Sequence, residues 1–310
     1  MKKFAIGADV GGSHLSCAAV DLDNQVMIDH SIRTIAVDNK ASAAEILSKW
    51  GEVLLQTIQC IGEENLAGIG FGMPGLFEYD NGIARFAQVE KYYSLNGVNV
   101  AEELAGLLNL NNRVPLRFMN DASAFAAGEA WLGSASHVTR SVSITLGTGF
   151  GSAFINEGIP VVEGDLVPNL GCVWHLPYKE GIADDYFSTR WFVKRYLETT
   201  GIQVDGVKPI AEAVSGSDKA NALFVEYGEN MGSFFSPWLK KFDAGMLVIG
   251  GNIAGAYNLF GPAFEKALKN NGVHTTIKLS ALKEDAAIIG SARMVDPEYW
   301  EKIKPILHLM

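Results

Sequence analysis

The sequence predicts an α/β fold of duplicated design, and three observations carry the prediction. Two hairpins of one kind, strand then glycine turn then strand, recur at residues 3–21 and 140–155. Between them the apolar stretch 116–119 runs through Asn120 and Asp121 straight into an alanine-rich segment of good helix propensity. The length, 310 residues, suits two domains of roughly 150 residues each.

Composition narrows the class. With 48% apolar residues, 19% charged residues and 33 glycines, the chain reads as a compact enzyme with many tight turns near ligands. A net charge of −10 argues against holding nucleic acid by bulk electrostatics, although backbone amides can still bind phosphate locally. Cys17, Cys60 and Cys172 form no Cys-x-x-Cys pair, so neither a disulfide scaffold nor a four-cysteine zinc site is expected, and the expected setting is reducing cytoplasm. The apolar run before Asp9 is too short for a signal peptide, so no export is expected. The uncharged stretch 244–264 is broken by glycines and Pro262 and reads as strand, turn and helix rather than a membrane span.

Taken in order, strands at 3–8 and 15–21 flank Asp9-Val-Gly-Gly-Ser-His14. Gly11 and Gly12 let the backbone approach a ligand and turn amides towards it, and Ser13 adds a hydroxyl. Asp9 can orient a metal bound to phosphate; the alternative is a plain Asp-x-Gly-Gly turn. His14 reads as a strand residue that faces solvent or packs. A strand at 27–35 is expected before a helix over 42–60, whose Ile46, Trp50, Val53, Leu54 and Ile58 recur at helical spacing and read as core. The strand 66–76 ends in Pro74-Gly75, either a backbone face for a ligand or a simple turn, and a short helix follows at 100–108.

Asn120 carries both a donor and an acceptor, which suits a hydroxyl-rich substrate. Asp121 sits where open α/β sheets bind ligands, beyond the carboxyl end of a strand, and is equally an ordinary helix N-cap. Gly147, Thr148 and Gly149 form the second glycine turn. Neither turn has P-loop or Rossmann spacing. After an irregular segment at 160–188, Asp184 opens a helix continuing through Trp191 and Tyr196, again with capping as the alternative. Two helices are expected over 208–241, the first after Pro209. A strand then ends in Gly250-Gly251-Asn252, where a flat ring can lie on exposed backbone. A strand at 277–279, a helix at 284–294 and a helical tail close the chain.

In that order these segments resemble the ROK family of sugar kinases, over nearly the whole chain. The resemblance is carried by Asp9-x-Gly-Gly-Ser, Gly72-Met-Pro-Gly75, Asn120-Asp-Ala-x-Ala-x-Ala-x-Gly-Glu129, Leu146-Gly-Thr-Gly-Phe-Gly151 and Ile249-Gly-Gly-Asn252. It implies an actin-like ATPase (ribonuclease H-like) fold of two lobes with the active site in the interlobe cleft. The small lobe would cover 1–117 and take back the C-terminal helix at about 291–310, and the large lobe would cover 118–290. The implied chemistry is ATP- and magnesium-dependent phosphorylation of a hexose or N-acetylhexosamine, in a chain that does not bind nucleic acid or membrane and has room to form a homodimer. Asp121 would be the general base. Gly75, Asn96, Asn120, Asn169, Cys172 and Asp184 would meet the sugar. Asp9, Gly11, Gly12, Ser13, Gly147, Thr148, Gly149, Gly250, Gly251 and Asn252 would meet the nucleotide, with Asp9 oriented to its magnesium.

The departures from the family pattern are informative. Family members usually carry Gly-Glu-x-Gly-His, a zinc loop of cysteines and then Leu-Glu, whereas this chain has Asn169 and Cys172, no zinc loop, and Ala183-Asp184. The Lys or Thr-Lys that usually follows the first glycines is Ser13-His14. No structural zinc is expected, and glucose cannot be assumed as the substrate. The rival reading is a sugar-binding regulator of the same family that has lost turnover and, with its first strand starting by residue 4, works without a DNA-binding region.

Overall fold

In the computed structural model, which describes residues 3–87, 91–110 and 114–310, the chain divides into two units. The first comprises Met1–Ser136, Gly158–Pro160 and Glu284–Met310, and the second His137–Glu157 and Val161–Lys283.

The first unit opens with the antiparallel hairpin of β1 (Phe4–Val10) and β2 (His14–Asp21). Next come β3 (Val26–Met27) and β4 (Arg33–Ala36), both antiparallel to β2. The single strand expected at 27–35 is interrupted because buried Ser31 ties the chain down: its hydroxyl donates to Ile28 O at 2.6 Å and accepts from Ala19 N at 2.8 Å. Helix α1 (Ala43–Ile61) starts from a capping box between Ser42 and Glu45, and its predicted stripe from Ile46 to Ile58 is buried. Strand β5 (Leu66–Met73) lies parallel to β1. The short hairpin β6 (Phe77–Glu78) and β7 (Ile83–Ala84), α2 (Val100–Leu107), β8 (Leu116–Asn120) parallel to β5, and α3 (Asp121–Trp131) complete this stretch.

The second unit repeats the plan. Its hairpin is β9 (Arg140–Leu146) with β10 (Phe150–Asn156), after which the chain returns to the first unit at β11 (Ile159–Pro160). A small hairpin, β12 (Pro177–Tyr178) and β13 (Gly181–Ile182), leads into α4 (Ala183–Phe187) and α5 (Thr189–Thr200). These were expected as one helix. Ser188 between them is extended, and the Tyr227 hydroxyl donates to Phe187 O at 3.0 Å, so this carbonyl bonds outside the helix. Helix α6 (Val207–Ala213) takes Pro209 in its first turn, where no N–H is needed, and α7 (Asp218–Phe242) follows. Strand β14 (Met246–Gly250) lies parallel to β9, α8 (Tyr257–Asn270) packs on α7, and β15 (Thr276–Leu279) lies parallel to β14. The orders β2-β1-β5-β8 and β10-β9-β14-β15 are therefore the same: one antiparallel pair, then two parallel ones. The duplication expected from the two glycine hairpins is present.

The chain then rejoins the first unit as α9 (Asp285–Arg293) and α10 (Pro297–Ile303). Helix α9 fits backbone to backbone against α3: a Cβ on Gly128 would stand 2.0 Å from Ala286 O, and one on Gly290 would stand 1.8 Å from Ala124 O. Because α3 is locked to α9 and β8 to β5, the first unit extends to Ser136, past the expected boundary at 117, and its C-terminal return begins at Glu284 rather than near 291. Each unit has its own core, around Trp50, Phe71 and Phe118 in the first, and around Phe187, Phe192, Tyr227 and Phe235 in the second.

Candidate active site

The strand register of the first unit gathers the acidic motif residues. Asp9 on β1 pairs with Gly72 on β5, and Met73 pairs with Asn120 on β8, so the carboxyl ends of three parallel strands present Asp9, Gly72 and Asn120 side by side. That edge is where ligands bind in sheets of this kind. Helix α3 starts at the next residue, and Asn120 is its cap, with Oδ1 accepting from Ser123 N at 3.2 Å. The capping alternative for Asp121 is thus corrected: Asp121 is the first helical residue, and its Oδ1 accepts from Ala122 N at 2.8 Å. Burial pushes its carboxyl up to about 6, against the pull of the Ala122 amide and Asn120. Asp9 is pushed further, to about 7, by burial first and then by the negative charges of Asp121 and Glu284. Glu284 and Tyr79 are partners that the sequence did not reveal, since no motif contains them; the Asn120 amide donates to the Tyr79 hydroxyl at 3.5 Å.

The turn of the first hairpin is braced from behind. Gly11 N donates to His14 O at 2.9 Å, and Val37 N donates to Ser13 O at 2.8 Å. The buried Tyr92 hydroxyl donates to Gly11 O at 2.6 Å, and the Asn39 amide donates to Gly12 O. With the carbonyls engaged, Ser13 stays exposed. His14 is a half-buried strand residue, as expected, with Nδ1 3.4 Å from Ser13 Oγ.

The second unit assembles its own loop. Gly147 O accepts from both the amide and the hydroxyl of Thr189, at 2.8 and 2.9 Å, which ties the turn to the start of α5. Thr148 and Gly149 are exposed at its tip. Asp184 does not cap a helix: its Oδ1 accepts from Phe150 N at 2.8 Å and its Oδ2 pairs with Arg190, so it anchors the far side of the same turn. The role of reaching back to the start of α4 falls to Asp185, which accepts from Ile182 N at 3.1 Å. Gly250 pairs with Thr145, and Gly251, at φ 83°, lies so close to β9 that a Cβ would stand 2.4 Å from Leu146 O. Gly250-Gly251 and the Gly147–Gly149 turn therefore adjoin, and Asn252 opens the following 3-10 turn, exposed.

Other motif residues stand apart from these two groups. Gly75 is open, with nothing within 4 Å of a Cβ placed there, and Asn96 is exposed after a 3-10 turn over Tyr93–Leu95. Asn169 is exposed in a 3-10 turn, and Cys172, its thiol pushed up to about 11 by burial, has Sγ 3.8 Å from His175 Nδ1. Among the described residues, no three His, Cys, Asp or Glu side chains are grouped to hold a metal ion. The segment after Cys172 is held by Val173, which is buried and donates its N–H to Ser152 Oγ at 2.9 Å. Trp174, next in the chain, is 43% exposed.

The ROK family's sequence pattern matches residues 5–298. A glucokinase of Thermotoga maritima is 27% identical over 320 residues, covering 94% of this chain and 96% of that protein. The crystal structure of a ROK hexokinase from Thermus thermophilus superposes with a TM-score of 0.77 at 20% identity, covering 96% of this chain and 99% of that one. A ROK family glucokinase from Streptomyces griseus, in complex with glucose and AMPPNP, superposes with a TM-score of 0.72 at 20% identity, covering 94% and 98%. At these identities the structural likeness shows the fold, the two-lobed actin-like ATPase fold.

Proposed function

Because this chain belongs to the ROK family, we propose that it transfers the terminal phosphoryl group of ATP to a hydroxyl of a hexose or N-acetylhexosamine, with Asp121 as general base. The observation that carries this reading is the position of Asp121. It lies at the carboxyl edge of the sheet, Asn120 does its capping for it, and a carboxyl held up to about 6 is ionised at neutral pH yet basic enough to take a hydroxyl proton. As the sugar oxygen bonds to phosphorus, its proton passes to Asp121 and ADP leaves with the electrons of the broken P–O bond.

The remaining roles are largely positioning. In the first unit the amides of Gly12 and Ser13 would receive phosphate oxygens, the Gly11 amide being held by His14 O; in the second, the amides of Thr148 and Gly149 would do so, and Gly250, Gly251 and Asn252, which adjoin that turn, would back the adenosine. Asn120, next to Asp121 at the edge of the first unit's sheet, would hydrogen-bond the sugar. Magnesium would be held beside Asp9 at the carboxyl end of β1, since this ion is commonly held by one or two carboxylates together with substrate phosphates. There it would neutralise phosphate charge as the transfer proceeds. The test is ADP release, by coupled assay, across a panel of hexoses and N-acetylhexosamines with magnesium and ATP. Sugar-dependent turnover is expected; a sugar that binds while none is turned over replaces this reading with the regulator.

A further inference from the structure

The first glycine turn has a cation laid against it that its own motif does not supply. Lys91 is exposed, and its Nζ lies over Gly12, so that a Cβ on Gly12 would stand 2.8 Å from it. The lysine's backbone neighbour is fixed to the same turn: Tyr92 N donates to Asn39 O at 2.8 Å, the Tyr92 hydroxyl donates to Gly11 O at 2.6 Å, and the Asn39 amide closes the circuit on Gly12 O. Tyr92 is buried and held at φ 59°, a conformation rare outside glycine, and it edge-packs on Trp50 at 5.6 Å. Lys91 is thus anchored through its C-terminal neighbour. Among the described residues it forms no ion pair or hydrogen bond.

The electrostatics of this unit call for such a group. Asp9 at the carboxyl end of β1 and Asp121 at the start of α3 already bring two carboxyls to this edge of the sheet. A polyphosphate brings several more negative charges, and the turn itself offers Ser13 and His14 but no fixed cation. Ammonium–phosphate hydrogen bonds are among the stronger ones available to a protein. We propose that Lys91 binds the phosphates of the nucleotide, pairing with oxygens that the Gly12 and Ser13 amides receive. This rests on the kinase reading and adds to it a residue that lies outside every motif of the sequence.

Calorimetry on the full chain tests it, with AMPPNP, adenosine and the preferred sugar titrated into wild type, Lys91→Ala and Lys91→Arg. In Lys91→Ala, AMPPNP affinity should fall by about tenfold or more while adenosine affinity, sugar affinity and Tm hold. Lys91→Arg should recover most of the loss, and the gap between wild type and Lys91→Ala should narrow as salt is raised from about 50 to 500 mM. Unchanged AMPPNP affinity in Lys91→Ala of an enzyme that turns over sugar overturns the assignment alone. So does a loss that falls on the sugar instead, which would place the cation on an acidic acceptor. A wild-type protein that binds no AMPPNP and phosphorylates no sugar overturns the kinase reading and this assignment together.

Discussion

Asn120 Oδ1 accepts the Ser123 amide at 3.2 Å, and through that one bond Asn120 takes over the helix-capping role open to either of two adjacent residues. Asp121 is thereby not needed as the cap of α3. Replacing Asp121 by Asn should keep the cap and the fold, with Tm near wild type, while kcat falls by roughly 100-fold or more, the range for a lost general base. Sugar affinity by calorimetry should stay close to wild type. Near-normal turnover would remove Asp121 from the mechanism.

The acid limb of activity should follow the same carboxyl. With Asp121 held up to about 6, kcat/KM should decline as pH falls through that region, well above the pH at which an ordinary aspartate is protonated. A profile flat down to pH 4.5 would contradict a base with this environment.

Asp9 makes a prediction about stability. Its carboxyl is about 7 in the folded chain against 3.8 ordinarily, so between those values the native state keeps a proton that the unfolded state gives up. Ionisation of Asp9 therefore destabilises the fold progressively as pH rises through this window, and the full effect stands above pH 7. Asp9→Asn should melt above wild type at pH 8, with the difference closing towards pH 4, and magnesium with AMPPNP should raise the melting temperature of wild type more than that of the mutant. A mutant melting below wild type at pH 8 would reject this account.

The two glycines of the second unit should respond differently to substitution. A Cβ at Gly149 would meet only Asp184 Oδ1 at 3.6 Å, an ordinary contact, so Gly149→Val should fold and lose AMPPNP affinity without losing sugar affinity. Gly251→Ala should instead lower Tm markedly, because φ 83° is strained for alanine and the methyl would stand 2.4 Å from Leu146 O. Differential scanning calorimetry and AMPPNP titration on the pair separate loss of binding from loss of fold.

Elemental analysis of the purified chain should find no stoichiometric zinc, since between Glu163 and Ser188 only Cys172 and His175 are soft ligands and a structural site takes four. In the sugar panel, glucose should not be the best acceptor if, as the sequence resemblance implies, Asn169 and Cys172 replace the Glu and His that family members usually carry. One zinc per chain, or glucose leading the panel, would each count against the corresponding half.

Much of the plan was legible in one dimension because it depends on local pattern. Glycine hairpins, the stripe of α1 and the strand-to-helix junction at Asn120 declare themselves through spacing, propensity and turn chemistry acting within a few residues. What only the tertiary structure decided depends on residues far apart in the chain. Which of Asn120 and Asp121 caps α3, and that Asp184 reaches back to Phe150 rather than capping α4, are settled by where side chains meet in space. The closeness of Gly290 to Ala124 carries the first unit's boundary to Ser136, because backbones that touch there leave no room for even a methyl group. The elevation of Asp9 needs Asp121 and Glu284, more than a hundred and more than two hundred residues away, and charge interaction depends on distance in space, which sequence separation does not encode.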